Sequence, residues 1–207
     1  FSRVKKYTSL RRKRIVPCEK RSLSLPACKR RKNALPCRHK PHLSMKKEQH
    51  FTFSYTCYPT EQDLPDEELA LLQAASRARE NAYAPYSDFL VGAAVELEDG
   101  TIVPGNNQEN AASPSSLCAE RVAVYHASAL HPGKRIVRIA VCGGRRGETN
   151  LQPVSPCGAC RQAILEYAQR QNSPIDLLFA GSGPAPAVKV RIADLLPFGF
   201  GSEDLLG

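Results

Sequence analysis

"SLCAERVAVYHASAL", residues 116 to 130, and "SPCGACRQAILEYAQ", residues 155 to 169, are two amphipathic helix starts, each preceded by a Ser/Pro-bearing loop and each carrying cysteine at its mouth. The stretch between them, "RIVRIAVCGG" at 135 to 144, reads as a strand with Ile136, Ile139 and Val141 apolar. Downstream, "PIDLLFAG" (174 to 181) and "AVKVRIADLL" (187 to 196) read as two further strands. Upstream, "FLVGAAVELEDGTIVPGNN" (89 to 107) is a hairpin turning at Asp99-Gly100, with Gly92 and the two alanines after it leaving room for close packing. Before the hairpin, "DLPDEELALLQAASRARENAYA" (63 to 84) is a helix with Asp63 as its cap, Pro65 at an early position and Leu69, Leu72 and Ala75 on an apolar stripe. Helix, hairpin, helix, strand, helix, strand, strand gives an α/β (α+β layered) domain with a mixed central sheet covered by helices. These patterns leave the direction of the last two strands open.

That domain occupies residues 61 to 207 of a 207-residue chain. The first 60 residues carry 17 Lys or Arg against Glu19 and Glu48, whereas the rest carries 12 against 18, so the overall charge of +9 originates in the extension. No sustained helical or strand period runs through residues 1 to 60, which read as a basic N-terminal extension, disordered or incidental to the domain. Its composition also fits a targeting segment, or attraction to nucleic acid or an anionic membrane through charge alone, although it lacks the interleaved aromatics of a strong nucleic-acid signal. The first residue is Phe, as expected of a fragment or a processed product. No apolar run is long enough to span a membrane. Cys18, Cys28 and Cys37, with His39 and His42, are a candidate second zinc site, weakened by the lack of a C-x2-C pair.

The chemistry concentrates at the two helix starts. Cys157 and Cys160 are three apart in a first helical turn and can aim their sulfurs at one point. Alone, such a pair reads equally as a redox couple, half a structural zinc site or two small buried residues. Cys118 at the other helix start shifts the balance, because two helix N-termini meeting at a sheet edge would bring three thiolates to one metal. Zinc suits sulfur ligands in tetrahedral geometry, and three protein ligands leave a position for water. Three thiolates make the centre electron-rich, and Arg121 with the two helix dipoles offsets that excess. Glu120 is either a first-turn charge compensating the dipole or, beside an open metal position, a group that takes a proton from water and returns it to a substrate.

"CAE" at 118 to 120 with "PCGACRQ" at 156 to 162 resembles the zinc and catalytic signature of the cytidine deaminase family, and "YAPYSDFLVGAAV" (83 to 95) and "GNNQENAASPSSLCAER" (105 to 121) resemble its substrate-binding segments. The resemblance runs from about residue 64 to the C terminus. It implies a cytidine deaminase-like fold and hydrolysis of cytidine and deoxycytidine to uridine and deoxyuridine with release of ammonia, as in pyrimidine salvage. It implies that Cys118, Cys157 and Cys160 hold Zn2+, that Glu120 shuttles protons, and that Phe89, Asn107, Glu109 and Ala119 take the substrate, with Phe89 lining the base pocket and Asn107 and Glu109 on the ribose. A single catalytic signature in a core this short resembles the small homotetrameric form, in which an aromatic matching Phe200 closes a neighbour's pocket; Phe198 is an additional aromatic beside it. Many members carry Tyr where this chain has Ser113, which bears on affinity more than on chemistry. A cytoplasmic enzyme acting on a small-molecule nucleoside is the expectation. Two other classes share features with it: a deaminase of a related aminopyrimidine nucleoside with a roomier pocket, and a non-catalytic zinc module with a nucleic-acid-binding tail. A fourth Cys or His at the metal would favour the module, whereas Cys142, on a strand, reads as core.

Overall fold

Alternate burial along the strands sets the two faces of a single six-stranded sheet. The computed structural model describes residues 48–184 and 186–206, and the elements below belong to the unit formed by residues 48–207. In β2 (Phe89–Leu97) Ala93, Val95 and Leu97 join one core cluster while Ala94 joins the other, the period of two that a strand buried on both faces must show. The same alternation runs through β4 (Ile136–Arg145), with Ile139 and Val141 on one side and Ala140 and Cys142 on the other.

The strand order is β1 (Thr56–Tyr58), β6 (Ala187–Arg191), β5 (Asp176–Ala180), β4, β2 and β3 (Ile102–Asn106). Every neighbouring pair is antiparallel except β4 and β5. That exception follows from α3 (Gly158–Arg170), which lies between the two strands in sequence and carries the chain back to the starting end. The hairpin turns as the sequence predicts, with Gly100 at φ 82°.

One face is covered by α1 (Asp66–Arg79) and the other by α2 (Ala119–Leu130) and α3; a short α4 (Ser202–Leu206) ends the described chain. The α1 face is built from small residues, and a Cβ on Gly92 would lie 2.0 Å from the Ala75 carbonyl oxygen, so only glycine permits that approach. Charge fastens the same helix. Glu68, 4% exposed, is bonded by Lys189 of β6 at 2.6 Å, and Arg138 of β4 joins Glu67 and Glu96. Buried carboxylates need such partners to offset desolvation.

Two details differ from the sequence reading. Asp63 does not cap α1: it closes a 3-10 turn of its own by accepting from the Thr60 N–H and hydroxyl, both at 2.9 Å, and Pro65 takes the cap position. The segment read as an extension up to residue 60 also contributes strand β1, whose Thr56, Cys57 and Tyr58 pair with Lys189, Val188 and Ala187. Tyr58, like Leu69, packs against the α1-side core. The candidate second zinc ligands, Cys18, Cys28, Cys37, His39 and His42, lie outside the described residues. Two truncations separate the parts. Removing residues 1–47 is expected to leave both turnover and melting temperature near those of the full chain. Removing 1–60 should leave turnover but lower the melting temperature by roughly 3 to 10 °C through loss of β1. Equal melting temperatures by differential scanning fluorimetry would show that β1 adds nothing to the sheet.

Candidate active site

Two helix N-termini meet at one point. Cys118 is the cap residue of α2 and Cys157 the cap residue of α3, while Cys160 lies one turn into α3. The sulfurs of Cys118 and Cys157 are 3.9 Å apart, and all three lie within 4.8 Å of one another. A tetrahedral zinc with Zn–S bonds of about 2.3 Å places its sulfurs about 3.8 Å apart. The observed triangle therefore needs only a small contraction to hold the ion. The donor set fits as well: three soft sulfurs, one buried, one half-buried and one exposed. Among the described residues this group contains no fourth Cys or His, so the centre lacks the closed four-ligand set of a structural zinc.

The electrostatics favour thiolate at Cys118. The Cys118 thiol is pulled down to about 5, chiefly by its hydrogen bond with Cys160, with Arg121 and Cys157 adding to the effect against burial. Cys160 is pushed in the other direction by that same hydrogen bond and by burial. Arg121 reaches the Cys118 sulfur at 3.8 Å and the Ser116 carbonyl at 3.4 Å.

Glu120, in the first turn of α2, is 4% exposed, and burial raises its carboxyl above the usual range. Its side chain lines a cavity of about 350 Å3 together with Phe89, Asn107, Glu109, Cys118 and Cys157. The structure thus gathers into one cavity most of the residues singled out in the sequence. Phe89 and Val154 pack where a side chain on Gly143 would stand, so that glycine makes space for the ring. Ser87, Val91, Val154 and Ser155 also line the cavity without having been singled out. Ser87 and Val91 lie in the segment 83 to 95 and could have been found there, whereas nothing in the local pattern marks Val154.

Asn107 and Glu109 come from the strand exit after β3. Their loop is fixed by backbone bonds from Tyr83 N–H to Asn107 and from Glu109 N–H to Tyr83, with Gln108 and Leu117 exchanging a pair. The Asn107 amide straps β2: its oxygen accepts from the Val91 N–H at 2.8 Å and its nitrogen donates to the Phe89 carbonyl at 3.0 Å. One amide hydrogen is left over. Glu109 accepts from the N–H groups of Tyr86 and Ser87 and from the Ser87 hydroxyl, and these bonds, the hydroxyl's first, hold its carboxyl below the usual range. It is a fixed, ionised acceptor.

Ala119 and Phe200 stand apart from this cavity. Ala119 is fully buried at the first position of α2 and offers the site at most its backbone N–H. Phe200 is 54% exposed, its backbone held at both N–H and C=O by the Gln162 amide, and Phe198 is 96% exposed. Cys142 is core as read, its thiol donating to the Gly181 carbonyl at 2.9 Å.

Residues 65–172 match the family model for the cytidine and deoxycytidylate deaminase zinc-binding region. A cytidine deaminase of Halalkalibacterium halodurans is 38% identical over 136 residues, 65% of this chain and 95% of that protein. One from Sporosarcina psychrophila is 42% identical over 136 residues, again 65% of this chain and 92% of the relative. The crystal structure of a cytidine deaminase from Burkholderia pseudomallei superposes with a TM-score of 0.55 at 40% identity, over 63% of this chain and 97% of that one.

Proposed function

The chain belongs to the cytidine and deoxycytidylate deaminase family, and from that premise we infer that it is a zinc-dependent enzyme hydrolysing cytidine and deoxycytidine to uridine and deoxyuridine. The observation that carries this reading is the three-thiol triangle at paired helix starts with a buried carboxylate opening onto the same cavity.

The reaction adds water at C4 of the pyrimidine and breaks the C4–N bond, releasing ammonia. Cys118, Cys157 and Cys160 would hold Zn2+, which supplies Lewis acidity and acidifies water. Glu120 takes a proton from water and delivers protons to N3 and to the departing amine. Its burial keeps the carboxyl's affinity for a proton high enough to serve in both directions. Phe89 packs the base, Glu109 accepts from a ribose hydroxyl, and Asn107 positions Phe89 through its bonds to β2 while offering its remaining N–H. The Ala119 N–H is a further donor for the base at the start of α2. Arg121 offsets the charge of the thiolates.

Purified, zinc-loaded protein is expected to convert cytidine to equal amounts of uridine and ammonia, read by chromatography and an ammonia assay. Activity confined to another aminopyrimidine nucleoside would replace this reading. Glu109→Gln is expected to raise KM for cytidine by about tenfold or more, the worth of a hydrogen bond to a charged group, with kcat within about threefold. A fall in kcat at unchanged KM would remove Glu109 from sugar recognition.

We also propose a homotetramer, in which Phe200 completes a neighbour's pocket. It is supported by the exposure of Phe198, Phe200, Leu205 and Leu206 at the C terminus of the chain. Light scattering should give four times 22.7 kDa; a monomer mass with full activity would refute it.

A further inference from the structure

The carboxylate of Glu109 is fixed without a cation. Among the described residues it belongs to no ion pair, and donors from one turn, residues 84 to 88, hold it instead. The turn is closed by the Asp88 N–H on the Ala84 carbonyl at 3.1 Å, with Asp88 in the left-handed region at φ 55°, a conformation that aspartate tolerates. Arg146, just past β4, clamps the same residue, its side chain on the Asp88 carboxylate at 2.9 Å and its N–H on the Asp88 carbonyl at 3.0 Å. From this braced turn the N–H groups of Tyr86 and Ser87 reach Oε2 of Glu109 at 2.9 and 3.2 Å, and the Ser87 hydroxyl reaches Oε1.

The direction of the hydroxyl follows from its partners. A serine hydroxyl has one proton and two acceptor sites, whereas an ionised carboxylate only accepts. The Phe89 N–H donates to the Ser87 oxygen at 3.1 Å, so the single proton of Ser87 goes to Glu109. Each carboxylate oxygen has about two acceptor sites. Oε2 is filled by the two N–H groups, and Oε1 keeps one site beside the Ser87 proton. Ser87 therefore decides which oxygen, and which of its lone pairs, is left for a substrate hydroxyl. The same residue ties that carboxylate to Phe89, whose carbonyl is held in turn by the Asn107 amide at 3.0 Å. One chain of hydrogen bonds thus joins the ring that packs the base to the acceptor for the sugar, and Ser87, Phe89, Asn107 and Glu109 all line the same cavity.

We propose that Ser87 is a positioning residue for sugar recognition, its hydroxyl orienting the Glu109 carboxylate and setting it relative to Phe89. The assignment rests on the deaminase reading above. Ser87 acts through Glu109 and has no part in the proton transfers of Glu120, so its effect belongs in substrate affinity and not in the chemical step.

The test is a double-mutant cycle on the full zinc-loaded chain, read as KM and kcat for cytidine. Ser87→Ala is expected to raise KM about fivefold, less than the full worth of a hydrogen bond to a charged group because the two N–H donors remain, with kcat within about twofold. Ser87→Thr, which restores the hydroxyl, should return KM to within about twofold of the parent. Since Glu109→Gln alone raises KM about tenfold or more, the double variant Ser87→Ala/Glu109→Gln should stay near that single value, about tenfold, and not reach the product of about fiftyfold, because residues acting through one contact are not additive. Ser87 is exposed, so the melting temperature and zinc content of Ser87→Ala should match the parent. In a parent that deaminates cytidine, an unchanged KM in Ser87→Ala, a fall in kcat alone, Ser87→Thr as weak as Ser87→Ala, or additive effects in the double variant would each overturn the role of Ser87 and leave the function standing. A parent inert toward cytidine would overturn both.

Discussion

Replacing Glu120 with Gln is expected to lower turnover of cytidine by at least about a hundredfold while the protein keeps one zinc per chain. The reasoning starts from burial. At 4% exposure the carboxylate has little water to exchange protons with except what enters the cavity it lines. It can hold a proton more readily than an exposed glutamate because burial raises its carboxyl. Gln keeps the size and one acceptor but cannot take up a proton at neutral pH. Positioned acid–base groups contribute roughly 10²- to 10⁴-fold, so a hundredfold, about 2.7 kcal/mol of barrier, is the smallest loss consistent with a proton shuttle. The metal-competent group consists of three cysteines and does not include Glu120, so zinc content should not follow turnover downward. Substrate affinity, measured by equilibrium binding to the inactive variant, should change less than about tenfold. If Glu120→Gln loses zinc as completely as a cysteine variant, the residue belongs to the metal's coordination or scaffold. If it keeps both zinc and full turnover, the carboxylate only compensates the α2 dipole.

The difference between Glu120 and its neighbours also shows what a sequence can carry. The meeting of Cys118, Cys157 and Cys160 was legible because it rests on two local signals, each a helix start with its side chains fixed by position at the cap or in the first turn. The hairpin and α3 were legible for the same reason, and the parallel pairing of β4 with β5 follows once a helix is known to separate them. What could not be read is non-local. Strand β1 is three residues long and gains its ladder from β6, more than 120 residues away, so nothing in its own pattern distinguishes it from a loop. Asp63 is a sound helix cap by type, but its carboxylate is taken by two donors of Thr60, and Pro65 two residues on has no N–H to offer it. Asn107 reads as a ligand for a sugar hydroxyl, yet the fold already employs its oxygen and one hydrogen on β2, leaving a single N–H to offer. Val154 lines the cavity from a loop after β4 and packs against Gly143, where a Cβ would lie 3.2 Å from it. In each case the residue type was visible, and its remaining free valence depended on a partner that tertiary structure supplies.

Cys157→Ala should fail in a different way from Glu120→Gln, losing zinc first and activity as a consequence. Cys157 caps α3 and holds its sulfur 3.9 Å from that of Cys118, so its removal leaves two sulfurs, one on each helix start. Zinc bound by a full set of protein ligands contributes free energy that is also folding free energy, on the order of 10 kcal/mol or more for structural sites. Even a fraction of that value exceeds the loss expected from an exposed Cys→Ala change with no metal involved, which is within about 0.5 kcal/mol. Metal analysis should find below about 0.1 zinc per chain, turnover should fall below detection, and the melting temperature should drop by about 10 °C or more. Chelation supplies the internal comparison: stripping zinc from the parent should lower its melting temperature by a similar amount, whereas a chelator should leave Cys157→Ala unmoved. Cys142→Ala, which empties a core position on β4 and touches no member of the triangle, should lower stability yet keep both zinc and its sensitivity to the chelator. A Cys157→Ala protein with one tightly held zinc would mean that the metal is bound by other residues. One with no zinc but an unchanged melting temperature would mean that the two helix starts are held together by packing alone, so that the zinc serves the reaction without supporting the fold.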